Sequence, residues 1–411
     1  MTESIRVLFV FGCLLRIGGH LRSALAMARH LISMGHGVAV AASGGVDEMV
    51  NAYRDIGATV HFIPELEQYS RLPSRSGAKR LLEIARSERI GLVHAQDFPS
   101  IARGYWVAAR LGLPFVFTAA GGAFRHNQPP RKTHTIVFSR EQYDDLYPNW
   151  YRIPPDRLHL IRARIDTSAY HPAPVDADFL ARFGLPASGR KLVMAVRLWE
   201  NKRPWLVSMM DFAEQQALSG VPAQVVIAGE GALLRELKQW AARINSGRRG
   251  QIVHLPGAIF GVEDLKSLYN YADVVAGSGR GILEAMACGK AVANLGERGE
   301  CEVIDEDTIE DAAYYNFSGR HFRARNAPAA AIQQALGELM KDSQRLNRLG
   351  QFSLSYIHRE MDAGIGAAQL AGVYQKAAGE RSKSTDYWRW NLLAARRIAG
   401  AILAKRIKQE P

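Results

Sequence analysis

Cysteine is scarce in this 411-residue chain. Only Cys13, Cys288 and Cys301 occur, far apart and with no Cys-x-x-Cys pair. That usage argues against a disulfide framework or a zinc framework and points to a reducing compartment. Long apolar runs are also missing. None reaches the roughly 18 residues that a membrane-spanning helix needs. The opening MTESIRVLFVFG has a short apolar run, followed closely by Arg16 and a Gly-Gly pair, and reads as a first buried strand rather than a signal peptide. Acidic residues are in deficit, 40 against 52 basic ones, which leaves a formal net charge of +12. A basic surface suits nucleic acid, anionic lipid or phosphorylated small molecules, unless the charges are simply scattered. Low-complexity tracts and internal repeats are absent.

What is present is ordinary for a soluble globular protein: 47% hydrophobic and 22% charged residues, in a length that suggests two domains. The first third alternates between strand and helix patterns. RVLFVFG is a β-rich run ending in glycine. GGHLRSALAMARHLISMGH then reads as a helix, with Leu21, Leu25, Ala28 and Leu31 on one face and Gly35 as its stop. GVAVAA, ATVHFIP, GLVHAQ, PFVFTAA and TIVFSR are the next strands. A Pro-rich stretch, YHPAPVDADFLARFGLP, interrupts the pattern around residues 170–186 and is the expected inter-domain connection. The alternation restarts with KLVMAVR, AQVVIAGEG, QIVHLPG, ADVVAGSG and KAVANLG, each separated by a helix. Strands apolar on both faces and separated by helices predict two parallel sheets, each covered on both sides. Such sheets bind ligands beyond the carboxyl ends of their strands.

Three glycine-rich junctions end predicted strands and open predicted helices: Gly18-Gly19, Gly229-Glu230-Gly231, and the run Gly277-Ser278-Gly279-Arg280-Gly281, which leads into Ile282. Turns of this kind expose backbone N–H groups and a helix dipole to a phosphate; each is equally explained by backbone geometry. Arg197 closes one strand and Lys202 follows five residues later, so the two cations either clamp a diphosphate or stand solvated on a loop. Glu284 sits one turn into the helix that follows the third junction. A carboxylate there suits the two hydroxyls of a ribose, or complements the helix dipole.

These strings, taken in order, resemble a family. RVLFVFGCLLRIGGHLRSALAMARHLISMGHGVAV, GLVHAQDF, HLIRARIDTSAYHP, VRLWENKRP, VVIAGEG and LEAMACGKAVA are similar to the successive motifs of family 4 glycosyltransferases, over about residues 5–380. The resemblance implies the GT-B fold: two Rossmann-like doubly wound α/β domains facing across a cleft, with retaining transfer from a nucleotide-diphosphate sugar and no metal or other cofactor. The expected layout is an acceptor domain over 1–172, a donor domain over 173–365, a helix returning toward the first domain over 366–380, and a basic amphipathic tail over 381–411. By resemblance, Arg197 and Lys202 neutralise the donor diphosphate as it leaves and Glu284 holds the ribose hydroxyls. The amides near Gly277, Gly279, Gly281 and Ile282 meet the phosphates. Gly18 and Gly19 approach the diphosphate, Gly229 and Gly231 lie near the nucleobase, and acceptor groups come from loops after Asp97 and Gly121.

The chain departs from the family pattern at several points. The Glu expected eight residues before Glu284 is Ala276, and an expected His is Ala120. The linker Asn-Gly is Arg162-Ala163 or Ala163-Arg164. Ser278 and Arg280 replace apolar residues, and DEDTIEDAAYYNFSGR replaces a glycine-rich string. Either the sugar contact has changed, through Arg280 or Glu300, or the chain binds nucleotide without transferring sugar. The tail over 381–411 carries eight basic and two acidic residues, a net +6. On a helix, Trp388, Leu392, Ala395, Ala399, Ile402 and Leu403 share one side. That pattern predicts a helix lying on an anionic membrane surface from the cytoplasmic side, or else one packed back on the first domain. Nucleic acid is not expected, since no groove-reading motif accompanies the charge.

Overall fold

Short strands of Val, Ile, Leu and Ala that bury both faces need helices above and below them, and the chain builds that arrangement twice. The structure, a computed structural model, describes residues 4–16, 18–67, 75–120, 129–162, 164–218, 223–246, 250–259, 261–325 and 332–407. It divides into two units: residues 1–164 with 363–411, and residues 165–362.

In the first unit the chain runs β1 (Arg6–Val10), α1 (Gly19–Ser33), β2 (Gly37–Ala42), α2 (Asp47–Asp55), β3 (Thr59–Phe62), α3 (Arg75–Ser87), β4 (Leu92–Ala95), α4 (Phe98–Leu111), β5 (Phe115–Ala119), β6 (His134–Val137) and β7 (Leu158–Leu160). These strands form one parallel sheet in the order β3-β2-β1-β4-β5-β6-β7. The predicted face of α1 is the buried one: Leu21, Leu25, Ala28 and Leu31 all pack inward. Separate apolar clusters cover the two faces of the sheet.

The second unit runs α5 (Ala177–Phe183), β8 (Lys191–Ala195), α6 (Arg203–Ala217), β9 (Gln224–Ala228), α7 (Leu234–Asn245), β10 (Val253–Gly257), α8 (Val262–Tyr271), β11 (Val274–Gly277), α9 (Arg280–Ala287), β12 (Ala291–Leu295) and β13 (Cys301–Val303). Helices α10 (Ile309–Tyr314), α11 (Arg320–Ala324), α12 (Ile332–Leu336) and α13 (Ser343–Tyr356) complete it. Its sheet has the order β10-β9-β8-β11-β12-β13, parallel except for the pairing of β12 with β13.

The Pro-rich stretch is not the connection between units. Tyr170, Phe179 and Leu185 are buried in the core of the second unit, so the segment packs instead of spanning. The boundary falls at Arg164/Ile165, ahead of the expected residue 172, because the ends of the second unit are tied together. The Ile165 amide donates to the Met361 carbonyl (2.8 Å) and the Thr167 hydroxyl to Asp362 (2.5 Å). The chain returns to the first unit at Ala363, where α14 (Ala363–Ala378) packs on α1.

The tail forms α15 (Ser384–Ile407). Its start is docked on α4 of the same unit: Tyr387 is fully buried beside Tyr105, Asn391 and Ala394 are buried, and Lys132 bridges Asp386 at 2.8 Å. The inward face is therefore Tyr387, Asn391 and Ala394, and the face named from the sequence points outward. Trp388 and Leu392 are 45% and 61% exposed, beside exposed Arg389, Arg396 and Arg397. The side chains of Ala399, Ile402 and Leu403 lie outside the described residues, as do Gly121 and Ala163. No described helix is long and apolar enough to cross a membrane.

One buried group pins α14 to the sheet. His94, at the centre of β4, is bonded by Tyr374 Oη on α14 and by Thr118 Oγ1 on β5, each at 2.7 Å. Burial pushes its pKa down from 6.5 to about 3. A depressed pKa means that the unfolded chain binds the proton first. The contribution of His94 is therefore complete above about pH 6.5 and declines as the pH falls toward 3. Thermal melts should show a midpoint that drops between pH 7 and 5, as this group withdraws at most about 1.4 kcal/mol of unfolding free energy per pH unit. His94→Gln should flatten that pH dependence; an unchanged slope would show that His94 is not responsible.

Candidate functional site

In a doubly wound sheet the chain changes direction where two neighbouring strands send their following helices to opposite faces, and a crevice opens there. In the second unit that point lies between β8 and β11. The loop after β8 carries Arg197 and Lys202, and the connection after β11 is only Ser278 and Gly279 before α9 begins at Arg280. Two of the sequence-predicted groups thus emerge side by side from adjacent strands.

The β8 loop is held from below. The Val196 amide donates to the Ala228 carbonyl, Leu198 to Glu230, and Leu233 back to the Leu198 carbonyl, at 2.9–3.0 Å. This contact explains Gly229 and Gly231. A Cβ on Gly229 would lie 1.9 Å from the Val196 carbonyl oxygen, and one on Gly231 2.4 Å from that of Leu198. Their glycine character is required by the neighbouring backbone, whatever ligand approaches. Gly18 differs. It is in extended backbone, and among the described residues a Cβ there would meet nothing nearer than 3.8 Å, so none of these contacts demands glycine. Gly18 and Gly19 open α1 at the carboxyl edge of the first unit's sheet, half-buried and exposed.

Arg197 is exposed. Lys202 is half-buried, its Nζ 3.4 Å above the Trp205 ring, and burial lowers its pKa against the opposing pull of Glu297. Trp205 in turn donates from Nε1 to the Gly296 carbonyl (2.6 Å). Arg203 bonds both Glu200 and Glu236, which anchors the turn that presents Lys202 to α7. Trp199 stands 58% exposed on the same loop.

Glu284 and Arg280 are brought together more closely than the sequence reading foresaw. Glu284 is fully buried, and its Oε1 accepts from Arg280 Nε at 2.6 Å. Tyr269, from α8, donates to Oε2 at 3.4 Å. Both carboxylate oxygens are engaged, so Glu284 is neither a solvated dipole-complementing residue nor a carboxylate standing open. Tyr269 had no signal in the sequence, because it arrives from a different helix. Arg280 does not project outward as a sugar contact; its side chain is 8% exposed.

The phosphate-facing amides are fewer than expected. The Gly279 amide is occupied by the Phe317 carbonyl at 2.6 Å, and Asn294 ties that carbonyl and the Gly277 carbonyl together. Those of Arg280, Gly281 and Ile282 belong to the first turn of α9 and have no carbonyl four residues back within the helix. Ala276 is a buried residue of β11 packed in the core, so no loop at that position reaches toward a ligand. Glu300 is buried. Burial alone would raise its pKa, but hydrogen bonds from its own backbone and from Arg298 outweigh this and lower it. These bonds hold it as a buried anion of the β12–β13 turn.

In the first unit the equivalent point lies between β1 and β4. Asp97 caps α4 there, accepting from the Ser100 and Gly12 amides. Burial raises its pKa in spite of those bonds. Ala120 lines a small cavity of about 20 Å³ together with His20, His94 and Thr118, room for about one water.

Residues 17–169 match the Glycosyltransferase Family 4 domain and residues 189–342 the Glycosyl transferases group 1 domain. The chain is 22% identical over 325 residues to alpha-maltose-1-phosphate synthase of Mycolicibacterium smegmatis, covering 72% of this chain and 81% of that one. A glycosyltransferase from Rickettsia africae superposes with a TM-score of 0.67 at 14% identity, over 92% of this chain and 99% of that one. Anabaena HepE, solved with UDP and glucose, gives 0.64 at 15% identity over 90% and 100%. WaaG, a glycosyltransferase of lipopolysaccharide biosynthesis, gives 0.60 at 12% identity over 89% and 99%. With both domains matched in order and two Rossmann-like units of the GT-B type, the chain belongs to the family 4 glycosyltransferases and is a glycosyltransferase enzyme.

Proposed function

We propose that the second unit holds a nucleotide-diphosphate sugar at the β8/β11 crevice and that the enzyme passes the sugar, with retention, to a lipid-linked or saccharide acceptor in surface glycan synthesis. The observation that carries this reading is the convergence of Arg197, Lys202 and the α9 N-terminus at one switch point, with the buried Glu284 behind it. Relatives of the same fold support the donor class: Anabaena HepE was solved with UDP-glucose.

In this reading Arg197 and Lys202 neutralise the diphosphate as it departs, so that charge developing on the leaving oxygens meets fixed cations. No metal and no other cofactor is called for. Glu284 receives the ribose hydroxyls when Arg280 releases it, and an incoming diphosphate offers the guanidinium a second anion. No side chain is assigned as base; the leaving phosphate assists the acceptor hydroxyl. Gly229 and Gly231 border the nucleobase side, and Gly18 and Gly19 offer amides to phosphate from the first unit. The acceptor belongs to the first unit, around Asp97.

Three measurements test it. Glu284→Gln should weaken nucleoside-diphosphate binding by roughly 10- to 100-fold in calorimetry, the worth of charge-assisted hydrogen bonds; equal affinity would remove its ribose role. Lys202→Met and Arg197→Ala should each lower kcat by about 100-fold or more while KM moves less. Wild-type turnover of a donor panel against membrane extract is the reference. Tight nucleotide binding with no turnover of any donor would favour a scaffold that has lost transfer.

The exposed face of α15 supports peripheral attachment to the cytoplasmic face of a membrane. Trp388 and Leu392 would enter the interface while Arg389, Arg396 and Arg397 meet anionic headgroups, at about 1 kcal/mol each. The double variant Trp388→Glu/Leu392→Glu keeps the docked face intact and should lose co-sedimentation with phosphatidylglycerol vesicles. Retained binding would mean that this face is not the attachment surface.

A further inference from the structure

The first unit carries a cluster of metal-ligand side chains, one of which, Asp97, borders the proposed acceptor region. Cys13 follows β1, His20 lies in the first turn of α1, and Asp97 is the N-cap of α4, just beyond β4. One ligand atom from each, Sγ, a ring nitrogen and a carboxylate oxygen, all lie within 4.8 Å of one another. Cys13 Sγ and His20 Nε2 are 3.9 Å apart, and Asp97 is hydrogen-bonded to the thiol. All three side chains are half-buried.

The spacing fits a borderline-soft cation. Zinc bonds of about 2.0–2.3 Å place neighbouring ligand atoms of a tetrahedron about 3.3–3.8 Å apart. Small side-chain rotations close the remaining gap. The donor types fit as well, since thiolate, imidazole and carboxylate together select zinc over magnesium or calcium, which take oxygen alone. The outer partners are already in place. Asp97 is oriented by the Gly12 and Ser100 amides at 2.8–3.1 Å. Gly12 itself is fixed, because a Cβ there would lie 2.4 Å from Pro99. Such second partners hold ligands in the geometry a metal needs. The cluster also stands at the β1/β4 switch point, where the fold opens a crevice.

We propose that Cys13, His20 and Asp97 form a zinc-class divalent cation site with a fourth position left for solvent or an incoming oxygen ligand. On binding, the thiol proton passes to solvent and the cation takes thiolate, imidazole and carboxylate. Because Cys13 and His20 bracket Gly18 and Gly19, an occupied site fixes that loop between two ligands and links its shape to metal availability and to the oxidation state of Cys13.

The test uses the full-length reduced chain titrated with cobalt(II), then with zinc as competitor. One cobalt per chain should bind with thiolate-to-cobalt charge-transfer absorption, and zinc should abolish that absorption. Cys13→Ser should remove the charge-transfer band, and His20→Gln should weaken binding at least 10-fold. Both variants must melt like the wild type, which keeps loss of ligand distinct from loss of fold; Asp97 caps α4 and is avoided for that reason. An absent band, or a band that survives Cys13→Ser through Cys288 or Cys301, would overturn the site. Metal binding is read without donor or acceptor, so its failure leaves the transferase assignment untouched.

Discussion

A parallel strand cannot return to its neighbour through a hairpin, so each strand here must be followed by a crossover that passes over a sheet face. Because those crossovers are helices, both faces are buried and the strands become short apolar runs with glycine at their ends. Because every strand except β13 points the same way within its sheet, the loops that follow the parallel strands of a unit emerge at one edge. Everything chemical in the molecule follows from that. Arg197, Lys202 and Arg280 are far apart in sequence but share the carboxyl edge of one sheet, and Cys13, His20 and Asp97 share that of the other.

The same constraint decides which parts were legible. Runs such as RVLFV, GVAVAA and QVVIA declare themselves, since a doubly buried strand has nothing polar to confuse it. Two strands escaped: LHL of β7 and CEV of β13 are three residues long and carry a polar centre. The π-helical segment Gln142–Tyr151 also escaped, since its Pro148 speaks against any helix. The tail was legible only in part. Counting apolar residues picked out the side of Trp388 and Leu392, which is exposed, and gave no sign of the opposite face that docks on α4. The docked face includes Asn391, whose amide donates to Tyr387 Oη at 3.3 Å, and a buried polar residue bonded to its own helix looks like a surface residue in a one-dimensional pattern.

At the site, residue types were legible and their partners were not. Cations after β8 and a carboxylate in α9 could be named from spacing. That Glu284 would be capped by Tyr269 from another helix could not, because no periodicity links α8 with α9. The glycines divide in an instructive way. Gly229 and Gly231 look like ligand-approach glycines but are explained by the Val196 and Leu198 carbonyls pressing against them. Gly18 has no such neighbour among the described residues.

The Arg280–Glu284 pair sets the electrostatics of the donor end. Both side chains are withdrawn from solvent, and a carboxylate buried without a cation would cost several kcal/mol. Four-residue spacing on one helix brings the two together at little cost in order. Paired, they cancel, so α9 presents only its N-terminal amides and dipole to the crevice. The net positive charge there comes from Arg197 and Lys202, whose loop is held by its own backbone bonds. In the proposed reading a dianionic diphosphate is met first by the β8 loop. Arg280 then contributes by giving up Glu284, and that exchange leaves the carboxylate in need of new donors, which two ribose hydroxyls would supply. With Ala276 inside the sheet, no second carboxylate stands at that position, and the local balance favours anion over sugar. On that proposal the diphosphate and the ribose are recognised by one linked exchange of partners, and donor-sugar selectivity arises from other loops.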